Sequence, residues 1–251
     1  MFDVKAIILS AGQGRRLLPL TAETPKCLIP FSGRPLVEWQ VRALAAAGVK
    51  EIVVVTGFEA AKVEAALAAI DLPGLALRAT HNPFFELADN LASCWIARHE
   101  MSQPFLILNG DTLIEPEIAR RVLEEPAVAP ITVTIDRKGD YDSDDMKVRT
   151  QGDRLLAIGK TLPLDLVTGE SIGCLRFTEE GGAAFVAELE RLMRSEEGLK
   201  RWYLSAIDGI ARYQNIVGVR SIEGLEWSEL DFPADLDRGV AMTDGWTARG
   251  L

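Results

Sequence analysis

The chain has 251 residues, 48% of them hydrophobic and 25% charged, with a formal net charge of −10. That length suits one large α/β domain with a sizeable core. The acidic balance argues against nucleic acid and anionic membranes as partners, because both select basic surfaces. No segment has the length and apolarity of a membrane span, and the first apolar run is too short for a secretory leader. Cys27, Cys94 and Cys174 are far apart and in apolar contexts, which reads as reduced core thiols in a cytoplasmic protein. His81 and His99 are the only histidines, so histidine-based metal or triad chemistry is not expected.

The first strand is the apolar run Ala6-Ile7-Ile8-Leu9, followed at once by Ser10-Ala11-Gly12-Gln13-Gly14-Arg15-Arg16. Small residues let such a turn approach a ligand closely, and its backbone N–H groups can cradle phosphate oxygens. Arg15, Arg16 and then Lys26 concentrate cations there in an otherwise acidic chain. The pattern is neither GxxxxGK[ST] nor GxGxxG. A GxG after a strand is in itself equally compatible with a structural turn.

The whole string is more specific. LSAGxGxRLxPLT, then PKxLxPxxGxPLxEW, resembles the N-terminal signature of the sugar-nucleotide pyrophosphorylase superfamily of nucleotidyltransferases. The matching residues run from Leu9 to Arg15, through Pro19, Leu20 and Thr21, to Pro25, Lys26, Gly33 and Trp39. Arg16-Leu17-Leu18 departs from it, many relatives having a smaller residue after the arginine. The resemblance implies a Rossmann-like three-layer α/β fold with a mixed, mostly parallel central sheet. It implies nucleotide contacts at Leu9, Ala11, Gly12, Gly14, Arg15 and Lys26, with Arg15 and Lys26 catalytic.

Further along, a helix is expected over residues 36–47 with Gly48 closing it, a strand over 51–56, a helix over 60–70 and a strand over 75–80. This βαβαβ alternation places ligands at the carboxyl ends of the strands. Residues 81–93 form a loop entering a helix over 91–98, where Asn90 also reads as an N-cap. NPxFxxxxNxxS also resembles a segment of phosphocholine-type cytidylyltransferases. That resemblance implies that Asn82, Asn90 and Ser93 read the pyrimidine or ribose. A strand over 105–108 ends in Asn109-Gly110-Asp111; Asp111 matches the superfamily's GD motif, and an oxygen ligand there suits Mg2+.

Residues 131–136 read as a strand and 137–148 as an acidic run, either a solvated loop or a site for a small cation. DDMKV-like stretches occur in relatives that handle phosphocholine or aminophosphonates, which implies substrate contacts at Asp144 and Asp145. Residues 155–159 and 170–177 are expected to form a strand pair, with Lys160 near the transferred phosphate and Glu170 on the acceptor by resemblance. A helix follows over 178–194, capped by Thr178, and another begins near 200–208. Trp202, Tyr203 and Trp227, beside acidic clusters, could build a quaternary-ammonium site or simply pack. Finally Trp227-Ser-Glu229-Leu-Asp231, with Asp235-Leu236 beyond, resembles the WxEIDxxxDL ending of the superfamily. Glu229 and Asp231 then share one face of a strand. Asp231 is the implied second Mg2+ ligand and Asp235 caps the helix that follows.

Together these imply a single domain over 1–251: a nucleotide part (1–130), an acceptor part (131–225) and a metal-binding strand with C-terminal helix (226–251). The expected reaction is Mg2+-dependent transfer of CMP from CTP, or another NTP, to a small phosphorylated acceptor of phosphocholine or 2-aminoethylphosphonate type. The alternatives are a sugar-1-phosphate or inositol-phosphate nucleotidyltransferase and a non-catalytic nucleotide-sugar-binding homologue. A homodimer is compatible with the sequence.

Overall fold

The computed structural model describes residues 4–124 and 126–250. Residues 1–3, 125 and 251, which fall within the expected single domain, lie outside the described residues. The apolar run of the signature forms β1 (Lys5–Ser10), and β2 (Pro30–Phe31) and β3 (Arg34–Pro35) make a small hairpin before α1 (Leu36–Ala46). Then come β4 (Glu51–Thr56), α2 (Ala60–Ala68), β5 (Ala76–His81) and α3 (Asn90–Ile96). β6 (Phe105–Asn109), β7 (Thr112–Ile114), α4 (Pro116–Leu123) and β8 (Ile131–Asp136) follow. β9 (Lys147–Gln151), β10 (Arg154–Ile158), β11 (Gly169–Phe177), α5 (Glu179–Met193) and α6 (Leu204–Gln214) lead to β12 (Val217–Ser221), β13 (Trp227–Glu229) and α7 (Pro233–Ala248).

The main sheet has the order β5-β4-β1-β6-β11-β8-β12-β10-β9. β5, β4, β1 and β6 are parallel, as are β8 and β12. β11 runs against both β6 and β8, and β10 against both β12 and β9, so the sheet is mixed. Alternate residues of β1 feed opposite cores. Ile7 packs with the apolar faces of α3, α5 and α6, while Ala6 and Ile8 pack with α1, α2 and α4. That is the expected three-layer architecture. A third cluster joins Trp39 of α1 to Trp246 of α7, ring centroids 5.8 Å apart. It fastens the C-terminal helix to the nucleotide-binding half.

Two local expectations are corrected. Residues 155–159 and 170–177 are not partners: β10 pairs with β9 and β12, and β11 is inserted between β6 and β8. The partner of β10 is the preceding strand, reached by a two-residue turn in which Gly152 takes φ 58°. The residue that precedes α3 is Asp89, with Asn90 its first helical position and no side-chain cap. Thr178 does cap α5, its hydroxyl accepting from the Gly181 N–H. The Asp235 carboxylate accepts from the N–H groups of Asp231 and Phe232, ahead of α7.

Candidate active site

The site lies where β1 and β6 end side by side. Leu9 O accepts from the Gly110 N–H at 3.0 Å, so the turn after β1 and the Asn109-Gly110-Asp111 turn are tied together. A β-carbon at Gly110 would lie 2.3 Å from Leu9 O and 2.6 Å from Ser10 Oγ, so only glycine fits. Gln40 of α1 donates to the carbonyls of Asn109 and Thr112 (2.7 and 2.8 Å), gripping the turn from both sides of Asp111. Opposite, Gly14 takes φ 76° and a β-carbon there would be 2.9 Å from the Lys26 stem. Its carbonyl accepts from the Thr21 hydroxyl at 2.8 Å. Ala11 O accepts from the Phe58 N–H at 2.9 Å. A recess lined by Leu9, Gly12, Gly14, Lys26 and Asp111 results.

Lys26 is the electrostatic centre. Its ammonium donates to Asp111 Oδ2 at 2.9 Å and to Asp231 Oδ1 at 2.8 Å. Burial opposes the charge, but the two carboxylates outweigh it and raise Lys26 above the ordinary lysine value. Arg16, rather than Arg15, completes the network, with Nη1 3.0 Å from Asp144 and 3.3 Å from Asp231. Arg15 is exposed on the short turn Arg15–Leu17, beside Gln13, Phe85 and Lys200. Glu229 stands behind the carboxylate pair; burial pushes it up to about 8, helped by the charges of Asp111 and Asp231.

The carboxylates of Asp111 and Asp231 thus converge on one point. Among the described residues no group of three or more His, Cys, Asp or Glu is arranged to hold a metal. Two carboxylates with phosphate and water oxygens completing the shell are, however, what Mg2+ ordinarily takes. The residues fit such an ion.

The acidic run of residues 137–148 folds over a cavity lined by Asp136, Asp142, Asp144, Asp145, Glu170, Glu229, Asp231 and Asp235, with Lys138 and Arg238 as its cations. Lys138 bridges Asp145 (2.9 Å) and Glu170 (3.0 Å). Burial and the Asp145 charge, against the pull of Lys138, leave Glu170 raised to about 7. Lys160 donates to Asp144 at 2.8 Å while lying 4.9 Å over the ring of Trp202. Trp227 donates its indole N–H to Asp136 at 2.8 Å.

Three expectations need correction. Asn82 and Ser93 face each other: Asn82 Nδ2 donates to Ser93 Oγ at 3.0 Å, Asn82 Oδ1 accepts from the Phe84 N–H, and both side chains are buried. They brace the loop from within instead of reading a base. Tyr203 is fully buried among the core aromatics, its ring edge-on to Phe185, so it walls no cation cage. Asn90 accepts from the Tyr203 N–H at 2.9 Å. The site residues missed in the sequence are Arg16 as a contact of Asp231, Lys138, Gln40 and Asn109. Arg16 and Lys138 stood in strings already singled out, but the contacts of Arg16 with Asp231 and of Lys138 with Glu170 join separate elements and leave no local signal.

Comparison with known proteins identifies the family. Residues 6–206 match the model of the MobA-like NTP transferase domain. The chain belongs to that family. It is 32% identical over 243 residues to CMP-5'-(3-aminopropyl)phosphonate synthase of Streptomyces rubellomurinus, covering 92% of this chain and spanning 37% of the length of that relative. CTP:phosphoglutamine cytidylyltransferase of Campylobacter jejuni is 24% identical over 258 residues, covering 93% of this chain and 98% of that protein. The solved CTP:phosphocholine cytidylyltransferase from Streptococcus pneumoniae superposes with a TM-score of 0.75 at 21% identity, over 96% of this chain and 99% of that one. At that identity the likeness speaks for the fold. No helix among the described residues is long and apolar enough to cross a membrane.

Proposed function

We propose that the chain joins CMP from CTP to a small acceptor that carries a phosphate or phosphonate at one end and a cation at the other, releasing pyrophosphate. The observation that carries this reading is the cavity of eight carboxyl groups facing two cations. It shares Asp144, Glu229 and Asp231 with the pocket that also contains Arg16, Asp111 and Lys160. An amine or quaternary ammonium is the ligand group such a cavity favours. The names of the Streptomyces and Campylobacter relatives, both CMP- or CTP-linked, support the nucleotide.

In this reading the triphosphate lies in the Gly12–Gly14 turn, with Arg15 at its outer end. An acceptor oxygen attacks the α-phosphorus in line; the new P–O bond forms as the bond to the β-phosphate oxygen breaks, and pyrophosphate leaves with the electron pair. The acceptor oxygen is already anionic, so no strong general base is required. A divalent cation on Asp111 and Asp231, Mg2+ in this proposal, supplies neutralisation of phosphate charge. Lys26 moves its ammonium from the carboxylates to the α-phosphate or acceptor phosphate as charge shifts. Arg16 and Lys160 hold the acceptor's anionic end. Asp145, Glu170 and the exposed face of Trp202 serve its cationic end.

Pyrophosphate release tests this, with the four NTPs crossed against phosphocholine, 2-aminoethylphosphonate, glucose 1-phosphate and inositol 1-phosphate. Release with CTP and cationic acceptors alone is expected. Release only with a sugar or inositol phosphate would sink the cationic acceptor, and none with any pair would sink the transferase reading.

A further inference from the structure

Tyr203 sits in the core, yet both of its polar ends reach the wall of the acceptor pocket. Its backbone N–H donates to Asn90 Oδ1 at 2.9 Å and its hydroxyl to Asn109 Oδ1 at 3.1 Å. Asn90 begins α3 and Asn109 ends β6, and both line the pocket beside Arg16 and Lys160. A peptide N–H can only donate, so the Asn90 atom facing it is the carbonyl oxygen. The Asn109 oxygen accepts from the phenol hydroxyl at 3.1 Å. Neither amide nitrogen has a hydrogen-bond partner among the described residues, and neither is sealed from solvent.

The backbone is shaped around the same point. The β11 register against β8 shifts between Ser171 and Leu175, and Gly173 within that shift takes φ 71°. A β-carbon there would lie 2.3 Å from Asn109 Nδ2. The bulge therefore clears the amide group of Asn109. Two amides with their acceptors tied back and their donors left free, beside Arg16 and Lys160, put donors on one wall of a pocket whose other wall carries Asp111, Asp144, Glu229 and Asp231. A phosphoryl or phosphonyl oxygen, which only accepts, is the complementary group.

We infer that Asn90 and Asn109 donate hydrogen bonds to the phosphonate or phosphate oxygens of the acceptor, and that Tyr203 is a buried positioning residue that turns both amides donor-outward. This rests on the proposed acceptor class and names which groups hold its anionic end. It removes Asn90 from the base-reading role expected of it.

Calorimetric titration of methylphosphonate into the full chain, in magnesium buffer without nucleotide, tests the inference. Wild type should bind. Tyr203→Phe, which keeps the packed ring, should weaken binding about fivefold, the scale of one net hydrogen bond. In an Asn90→Ala/Asn109→Ala background the same change should have no further effect, because Tyr203 acts through those amides. Asn109→Asp, which replaces the donor by a carboxylate at constant shape, should weaken binding by about tenfold or more. CTP affinity should hold in Tyr203→Phe. No methylphosphonate binding by wild type, a Tyr203→Phe loss that persists in the double-alanine background, or a loss of CTP binding instead would overturn the inference. Failure of the cytidylyl reading would show separately, as no pyrophosphate release by wild type, and would leave these binding results standing.

Discussion

Gly110→Ala is the most demanding prediction of the site geometry. The added methyl would lie 2.3 Å from Leu9 O and 2.6 Å from Ser10 Oγ. Ordinary contact needs about 3.4 Å, so roughly 1 Å of movement is required. β1 cannot supply it, because it is registered residue by residue against β4 on one side and β6 on the other. Gln40 also grips the carbonyls of Asn109 and Thr112 on either side of the turn. The displacement therefore falls on the Gly110-Asp111 peptide and moves the Asp111 carboxylate. A misplacement of that size costs about 100-fold in turnover, and overpacking costs about 1–3 kcal/mol of stability. Pyrophosphate-release kinetics and thermal melts measure the two effects. Gly245→Ala is the matched control: nothing lies within 4 Å of a β-carbon there in the last turn of α7, so it should be neutral or slightly stabilising. A Gly110→Ala enzyme with turnover within threefold of wild type would refute the claim that this turn fixes the Asp111 carboxylate for turnover.

The remaining predictions concern the charges. Lys26→Met should lower kcat by about 100- to 1000-fold, the scale of one lost charge-stabilising donor, in single-turnover assays; an unchanged kcat would make Lys26 a purely structural bridge. An Asp144→Ala/Asp145→Ala enzyme should show a KM for a cationic acceptor raised about tenfold, with that for CTP spared; no change in steady-state kinetics would return the acidic loop to a solvated surface. Glu170, raised to about 7, gains its charge as pH rises through neutrality, so KM for a cationic acceptor should fall between pH 6 and 8. Glu170→Gln should flatten that profile, and an unflattened one would exclude Glu170 from the acceptor cavity. The stability sign runs the other way. A carboxyl whose folded value lies above the ordinary 4.5 stabilises fully below 4.5, and that contribution is lost as pH rises through about 7. Denaturant melts should therefore show Glu170→Gln gaining on wild type between pH 5 and 8.

The nucleotide half was legible in the sequence because its signals are local. A buried parallel strand reads as an unbroken apolar run, and β1, β4 and β6 each form within a residue or so of their expected bounds. The turns after β1 and β6 announce themselves by glycines that the fold then uses: Gly14 for its left-handed φ and Gly110 for the close crossing. The strand expected to carry both Glu229 and Asp231 ends at Glu229, and Asp231, just past it, brings the second carboxylate to Lys26. Residues 131–177 were harder. The β9–β10 hairpin turns on two residues, and β11 leaves its sequence neighbours to enter the sheet between β6 and β8. β11 keeps only a short pairing with β9, at Gly169 and Glu170, and nothing in a local window encodes the insertion of the rest.

The same insertion explains why polar residues could be assigned to a ligand when they serve the core, and the reverse. Asn82, Asn90 and Ser93 share one loop and helix start, and a linear motif cannot say which of them turns inward. The decision comes from Tyr203, more than a hundred residues on, whose ring completes the aromatic stack of Phe105, Phe177 and Phe185. Once that ring is buried, its N–H and hydroxyl must find acceptors, since an unmade buried hydrogen bond costs about 1–3 kcal/mol. Asn90 and Asn109 supply them from the pocket wall. Core packing thus sets the direction in which two pocket amides point, and with it the chemistry of the ligand they can hold.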